Sequence, residues 1–393
     1  MLQERGDRRW RDGVLEAPEI STPALVVCDE QARRNVRAFA AAAASVGVGW
    51  RPHFKGHKAL PLLEAQAAAG AAGVELAKIT EIQRLAEAGS TDLDVVLAWA
   101  WTSPVIWDCA ARLAANGLAL GVDVDSAELV DGYEAAAARH HTVLGVRVQV
   151  DAGLRGADPA VVPELCRRVA RAPHLRLDAL TCYRSTYLRT FERDERPFDV
   201  LGREEGELLV HLAAAVADEL GPLALVCGST STAWGAAAVE GVAEVVTGNG
   251  ALRDEGLARM GVVDPSTIAV GIVTTVVAVE AQTVVVDAGS TVLGQGLTYP
   301  GLGPQRALSD DGGLSINDGD EAASRGTWRG ADAPRPGDRV LLLPTSASAV
   351  VAEPGTTIVV ADDGTVVDSW ERIATATPTM DVEIAMAEAW VKR

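Results

Sequence analysis

The sequence predicts an α/β protein, a (β/α)8 TIM-type barrel followed by a mostly antiparallel β domain. Three observations carry this. Between residues 22 and 260, eight or so short apolar runs alternate with helix-forming stretches, about 25–30 residues to a unit, the pattern of a parallel sheet covered by helices. No G-x-G-x-x-G follows the first run, which disfavours an open doubly wound sheet. After about residue 265 the helical period fades, and β-branched runs separated by Gly, Pro and Asp turns take over. A length of 393 residues suits about two domains. An apolar fraction of 48% supplies a large core.

Taken in order, residues 1–21 are polar and are grouped with the second domain (265–393). Thr22-Pro23 opens the apolar run Ala24 to Cys28, which reads as the first strand of the 22–260 barrel domain. Asp29 is placed to cap a helix over 30–45, where Ala and Arg are good helix formers. Val46 to Phe54 reads as the next strand. Strands are then expected at 73–77, 94–98, 118–123, 143–150, 175–181, 223–227 and 243–247. The intervening helices fall at 58–70, 79–88, 104–116, 126–139, 159–171 and 200–219. In the second domain, 268–279, 282–287, 339–343, 357–360 and 365–370 read as strands, 302–335 as a long Gly/Asp/Ser-rich loop, and 382–391 as a helix.

Composition narrows the function classes. A net charge of −19 argues against nucleic acid or an anionic membrane surface as partner, but leaves room for a small anion held by local groups. The five cysteines are odd in number, scattered and without a C-x-x-C pair, a reduced, cytoplasmic pattern. No signal peptide and no run of about 18 apolar residues is read, so no membrane span is expected.

The chemistry centres on Arg51-Pro52-His53-Phe54-Lys55-Gly56-His57-Lys58. The chain has four lysines (Lys55, Lys58, Lys78, Lys392) against 31 arginines, and two of the four sit in this octapeptide. Arg cannot lose its proton, whereas a desolvated Lys can become a neutral nucleophile. A solvated basic loop is the plainer alternative. In a barrel, chemistry gathers at the C-terminal ends of the strands. Lys55, Asp123, Asp151 with Arg155, Tyr183 and the turn Gly228-Ser229-Thr230-Ser231-Thr232 all fall there. That turn can cradle an anion with its amides and hydroxyls, or can be an ordinary helix cap. An amine at one strand end and an anion cradle at another suit pyridoxal 5′-phosphate. Trp99, Trp101 and Trp107 either line an apolar substrate pocket or cover the barrel top, and His140-His141 reads as a helix end.

Several motifs occur in order: Thr22-Pro23-Ala24, Arg51-Pro52-His53-x-Lys55-x-His57-Lys58, Ala77-Lys78-x-x-Glu81, the Tyr183 strand end, Gly228-Ser229-Thr230, Val285-x-Asp287-Ala288-Gly289 and Gly337-Asp338-x-Val340. In these the chain resembles the D-threonine aldolase / D-serine dehydratase family of fold-type III pyridoxal-phosphate enzymes, relatives of alanine racemase. The resemblance implies a cofactor-carrying barrel, a β domain that helps close the site, and a homodimer. It implies that Lys55 is the Schiff-base lysine and that Gly228, Ser229, Thr230 and Thr232 hold the phosphate. It places Arg155 and Tyr183 near the cofactor, and His53 and His57 beside Lys55, tuning proton traffic.

There are departures. In that family a Pro-x-His-x-Cys or Pro-x-His-x-Asp element binds a divalent metal. Here the stretch reads Pro344-Thr345-Ser346-Ala347-Ser348, and no histidine follows His211. Neutral hydroxyls are poor ligands beside imidazole, thiolate or carboxylate, so no metal site is expected. The chain also reads Tyr183-Arg184 where the family often has Gly-His after its strand-end Tyr. The expected function is a pyridoxal-phosphate lyase acting at Cα or Cβ of a D-amino acid. Tyr183, Tyr187 or Arg184 would then supply the acid the metal provides elsewhere. A metal-independent racemase or epimerase is the first alternative, with Tyr183, Tyr187 or Cys182 as second base, and a non-catalytic pyridoxal-phosphate protein the second.

Overall fold

The computed structural model describes residues 8–89, 93–153, 155–184, 195–294, 302–330 and 332–373. We number the strands in chain order. β1 (Ala24–Cys28) stands apart from the next eight. These are β2 (Gly49–Pro52), β3 (Val74–Leu76), β4 (Val95–Leu97), β5 (Leu120–Val124), β6 (Leu144–Val150), β7 (Leu175–Cys182), β8 (Ala224–Cys227) and β9 (Glu244–Thr247). They form one sheet in the order β2-β9-β8-β7-β6-β5-β4-β3, with every neighbouring pair parallel. A single bridge, His53 to Glu75, spans the seam between β2 and β3, so the sheet is a nearly closed barrel. The expected barrel is therefore present. Its second strand is shorter than the 46–54 run suggested.

The sequence builds these elements for identifiable reasons. β5 and β6 are buried along their whole length, as strands covered on both faces must be. The helices between strands bury one stripe. In Val162–Arg171 the buried residues are Val162, Leu165, Cys166 and Val169, at helical spacing, and the arginines lie on the other face. Ser126 opens Ala127–Arg139 by accepting the Leu129 amide at 3.4 Å. Each fully buried Leu or Val contributes about 1.5–3 kcal/mol of transfer free energy.

The remaining strands are β10 (Val270–Glu280), β11 (Thr283–Val286), β12 (Ala307–Ser309), β13 (Leu314–Gly319), β14 (Ser324–Trp328), β15 (Arg339–Pro344), β16 (Gly355–Val360) and β17 (Val366–Arg372). They join β1 in a second sheet ordered β11-β14-β13-β12-β15-β10-β1-β16-β17, in which β11 also pairs with β10 and closes six strands on themselves. Two expectations change here. β1 pairs antiparallel with β10 and parallel with β16, so it belongs to this sheet and not to the barrel. A run buried at every position fits either kind of sheet, and the pairing decides. The stretch 302–335, expected as a loop, holds β12, β13 and β14, in which the Gly, Asp and Ser residues make tight turns between short strands. The helix expected at 382–391 lies outside the described residues. The helix Arg9–Glu16 puts Trp10 and Val14 into the core of this second sheet.

By contacts the chain divides into two compact units. One takes the described residues of Ala43–Phe54 and Gly70–Thr247, and the other those of Met1–Ala42, Lys55–Ala69 and Gly248–Ala374. The division cuts between Phe54 and Lys55, in the middle of the lysine-bearing turn.

Candidate active site

The segment leaving β2 is held tightly. The His53 amide donates to the Thr247 carbonyl at 2.7 Å, and Phe54–Gly56 makes one 3-10 turn. A Cβ at Gly56 would fall 1.9 Å from the Gly248 carbonyl oxygen, so only glycine lets the two backbones pass. A Cβ at Gly248 would in turn lie 3.3 Å from Lys55 Cε. Lys55 is half-buried, with its Cε beside the bare backbone of Gly248.

His57 has a different part from the expected one. Its Nδ1 accepts the Ala59 amide at 3.2 Å, so the proton sits on Nε2, which donates to Gln66 Oε1 at 3.1 Å. Burial pushes its pKa down to about 4. A neutral ring with both nitrogens engaged internally braces the turn against the helix Leu60–Ala68. This geometry speaks against the shuttle role the resemblance implies. His53 is buried at the barrel seam, and Tyr187 lies outside the described residues.

At the C-terminal ends of β4, β6 and β7 the barrel assembles a stack. The Arg155 guanidinium lies 3.8 Å from the Trp99 ring centroid and 5.5 Å from that of Tyr183, and Nη2 donates to the Ala98 carbonyl at 3.3 Å. Arg155 Nε and Nη1 are buried with no hydrogen-bond partner among the described residues. Burial lowers the Arg155 pKa, yet a guanidinium stays charged at neutral pH. It offers two unused donors. Trp99 is 42% exposed, so it backs the arginine from the solvent side. Trp101 carries Lys78 Nζ 4.5 Å from its centroid.

The turn after β8 begins at Gly228, whose φ of +96° suits glycine. Ser229 Oγ lies 3.0 Å from both Ser231 Oγ and Thr232 Oγ1, and accepts the Thr232 amide at 3.2 Å. The helix that follows, Ala233–Ala237, has five residues, so its dipole adds little and the cradle rests on hydroxyls and amides. Beneath it lies Glu205, which sequence reasoning missed. It is 1% exposed, its Oε2 is 2.9 Å from Thr232 Oγ1, and its Oε1 accepts the Arg184 amide at 2.6 Å. Burial pushes its pKa up to about 8, against smaller opposing effects of Thr232 and Arg184. A signal existed. Glu205 falls on the buried stripe Leu201, Gly202, Glu205, Gly206, Leu209, Leu212, where a carboxyl needs explanation.

Deeper in the barrel, Arg147 reaches Asp123 Oδ1 at 2.8 Å and Glu75 Oε1 at 2.7 Å. Burial works against its charge, but the two carboxylates outweigh it and hold its pKa above the ordinary value. In the other unit, Ser346 Oγ and Ser348 Oγ lie 3.1 Å apart, and the Ala347 amide donates to Asp254 Oδ2 at 3.0 Å. No group of three His, Cys, Asp or Glu side chains is arranged as metal ligands among the described residues.

These residues fit pyridoxal phosphate. The barrel presents an arginine with two orphaned, buried donors, and a hydroxyl-rich turn able to meet a phosphate. Lys55 supplies an amine beside the bare backbone of Gly248. A parallel barrel and an antiparallel sheet carried by one chain define a fold-type III pyridoxal-phosphate protein. Residues 28–246 match the family described as "Alanine racemase, N-terminal domain", and the chain belongs to that family.

Among curated proteins the chain is similar to a 3-hydroxy-D-aspartate aldolase of Paracoccus denitrificans (strain Pd 1222). The two are 28% identical over 191 residues, which is 47% of this chain and 49% of that one, about half its length. It is also similar to a D-threo-3-hydroxyaspartate dehydratase of Delftia sp. (strain HT23), 27% identical over 268 residues, 67% of this chain and 69% of that one. The solved Delftia dehydratase has a TM-score of 0.80 at 24% identity, covering 91% of this chain and 98% of that one. A D-threonine aldolase from Filomicrobium marinum has a TM-score of 0.78 at 23% identity, covering 90% and 95%. These structural likenesses show the fold. No helix among the described residues is long and apolar enough to cross a membrane.

Proposed function

We propose that this chain is a pyridoxal-phosphate-dependent lyase acting on a D-amino acid, with β-hydroxy amino acids as the substrate class. The observation that carries the reading is Lys55, fixed on its glycine-lined turn directly after β2. The two curated relatives support the substrate class, since both are named for 3-hydroxy-D-aspartate chemistry. When bound, pyridoxal phosphate supplies an electron sink for the charge left at Cα. The chain's residues do the rest. Lys55 Nζ would anchor the cofactor, and its amine would be the base at Cα. Ser229, Thr230, Thr232 and the Gly228 turn hold the phosphate. Arg155, steadied by Trp99, offers Nε and Nη1 to an anionic oxygen, and Tyr183 packs beside it.

The hydroxyl-bearing carbon needs an acid at its oxygen. By the resemblance Ser346 and Ser348 take the places of the family's metal ligands, so this reading assigns that proton to a protein group, with Tyr183 the candidate and Arg184 a fixed charge beside it. A homodimer in the cytoplasm belongs to the same reading. Racemisation is its alternative, favoured by the family match to the alanine racemase domain.

The test is direct. The purified protein, given pyridoxal phosphate, is expected to take on a visible absorbance band that borohydride fixes covalently, and Lys55→Ala is expected to abolish it. A panel of D- and L-β-hydroxy amino acids, assayed with and without chelator, then reads keto acid, aldehyde and α-proton exchange. Exchange without cleavage would sink the lyase in favour of the racemase, and activity restored by manganese or zinc after chelation would sink the metal-free assignment.

A further inference from the structure

Glu205 lies under the cradle with no cation against its carboxyl oxygens among the described residues. The Arg184 side chain is turned to Glu204 at 3.3 Å, and Glu204 also meets Arg196, so Arg184 offers Glu205 its amide. Cys182, whose Sγ lies 3.7 Å from the Glu205 carbonyl, is the other titratable neighbour, with Cys227 beside it. The hydrogen bond that the Cys182 thiol makes to Cys227, with burial, holds it well above its usual range. With no side chain at Gly202, the helix bearing Glu205 can lie against the turn; a Cβ there would fall 2.1 Å from the Thr232 carbonyl oxygen.

The four groups Glu205, Thr232, Ser229 and Ser231 form an unbroken chain of contacts at 2.9, 3.0 and 3.0 Å. Each hydroxyl has one proton to give, so the charge on Glu205 fixes the direction of the chain. An ionised carboxylate draws the Thr232 hydroxyl inward. Ser229 then donates to Thr232 and Ser231 to Ser229, leaving lone pairs toward the cradle. With a proton on Oε2 the order reverses. Glu205 donates to Thr232, Thr232 to Ser229, and the hydroxyls of Ser229 and Ser231 are free to point outward. The Arg184 amide occupies Oε1 in both states, which assigns the proton to Oε2.

We propose that Glu205 is a positioning residue whose protonated carboxyl turns this hydroxyl chain outward, so that Ser229 and Ser231 donate to a phosphate monoester held at the turn. This rests on the reading of 228–232 as the cofactor's phosphate site. Its raised pKa, about 8, agrees with a proton being present at neutral pH. A phosphate bound nearby is dianionic above roughly pH 6 and favours that proton further.

The experiment titrates the full-length apoprotein with pyridoxal phosphate and with pyridoxal, from about pH 6.5 to about pH 9.5. Pyridoxal shares the ring but closes on itself as a hemiacetal, a cost common to wild type and variants, so the difference between them in the pH dependence of the ratio of dissociation constants isolates the phosphate. In the wild type that advantage is expected to fall about tenfold as Glu205 ionises, the size of one charge-assisted hydrogen bond reversed. In Glu205→Gln it is expected to stay flat, because the amide donates to Thr232 at every pH. In Thr232→Val, which cuts the chain without adding charge, it is expected to be low and flat. Circular dichroism confirms that each variant is folded. A wild-type ratio that does not change with pH, or an equal slope in folded Glu205→Gln, overturns the proposal. Pyridoxal phosphate bound no better than pyridoxal at any pH, in wild type and variants alike, sinks instead the phosphate-site reading beneath it.

Discussion

Asp123 and Glu75 share Arg147, whereas Glu205, outside the same sheet, has a hydroxyl and an amide for partners. Both sets are buried, and their fates differ. Arg147 holds two carboxylates in one ionic cluster against the cost of burial, whereas Glu205, with a hydroxyl and an amide on its oxygens and the Arg184 charge farther off, is pushed up to about 8. The difference teaches which of the two can respond to pH near neutrality. The cluster is architecture. Glu205 is poised.

The sharpest way to break the contrast is Arg147→Met, which strands two buried carboxylates. A loss of about 3–5 kcal/mol at neutral pH is expected in urea unfolding, partly recovered in mild acid as the carboxyls take up protons. A loss below about 1 kcal/mol would mean the cluster is hydrated and not an ion pair in low dielectric.

Glu205→Gln sharpens the other side. The folded pKa, about 8, lies above the ordinary value of 4.5, so the native state holds the extra proton between them. Its contribution is full below about pH 4.5 and is lost as pH rises through about 8, at up to about 1.4 kcal/mol per pH unit. Unfolding free energies measured across that window should fall less steeply in Glu205→Gln.

His57 gives the smallest effect, with the opposite sign. Its folded pKa of about 4 lies below the ordinary 6.5, so the unfolded chain takes the proton first. Stability from this group is present above about pH 6.5 and lost as pH falls toward 4, at the same limiting slope over a shorter window. His57→Gln should flatten the acid limb of the stability profile and leave the alkaline limb alone.

Much of this was legible in the residues. Alternating apolar runs and helices marked the barrel, and the scarcity of lysine marked Lys55. The stretch 302–335 was misread because turn-forming residues dominate its composition, while strands of three to six residues leave little periodic signal. Strand β1 was placed in the wrong sheet because burial on both faces says nothing about partners. Glu205 was not singled out, although its spacing from Leu201 and Leu209 set it inward. The use of Arg155 depends on Trp99, 56 residues earlier in the chain, and that contact exists only after folding.

The barrel is closed unevenly at its seam. Seven strand junctions are ladders, while β2 and β3 are joined by the bridge His53 to Glu75. The strand leading to Lys55 is therefore fastened firmly to β9 and lightly to β3. In hydrogen–deuterium exchange, amides along the β2–β3 edge should acquire deuterium before those of β5 and β6, which are paired on both sides. The barrel would then breathe along one line, and that line runs beside the turn where the lysine is set.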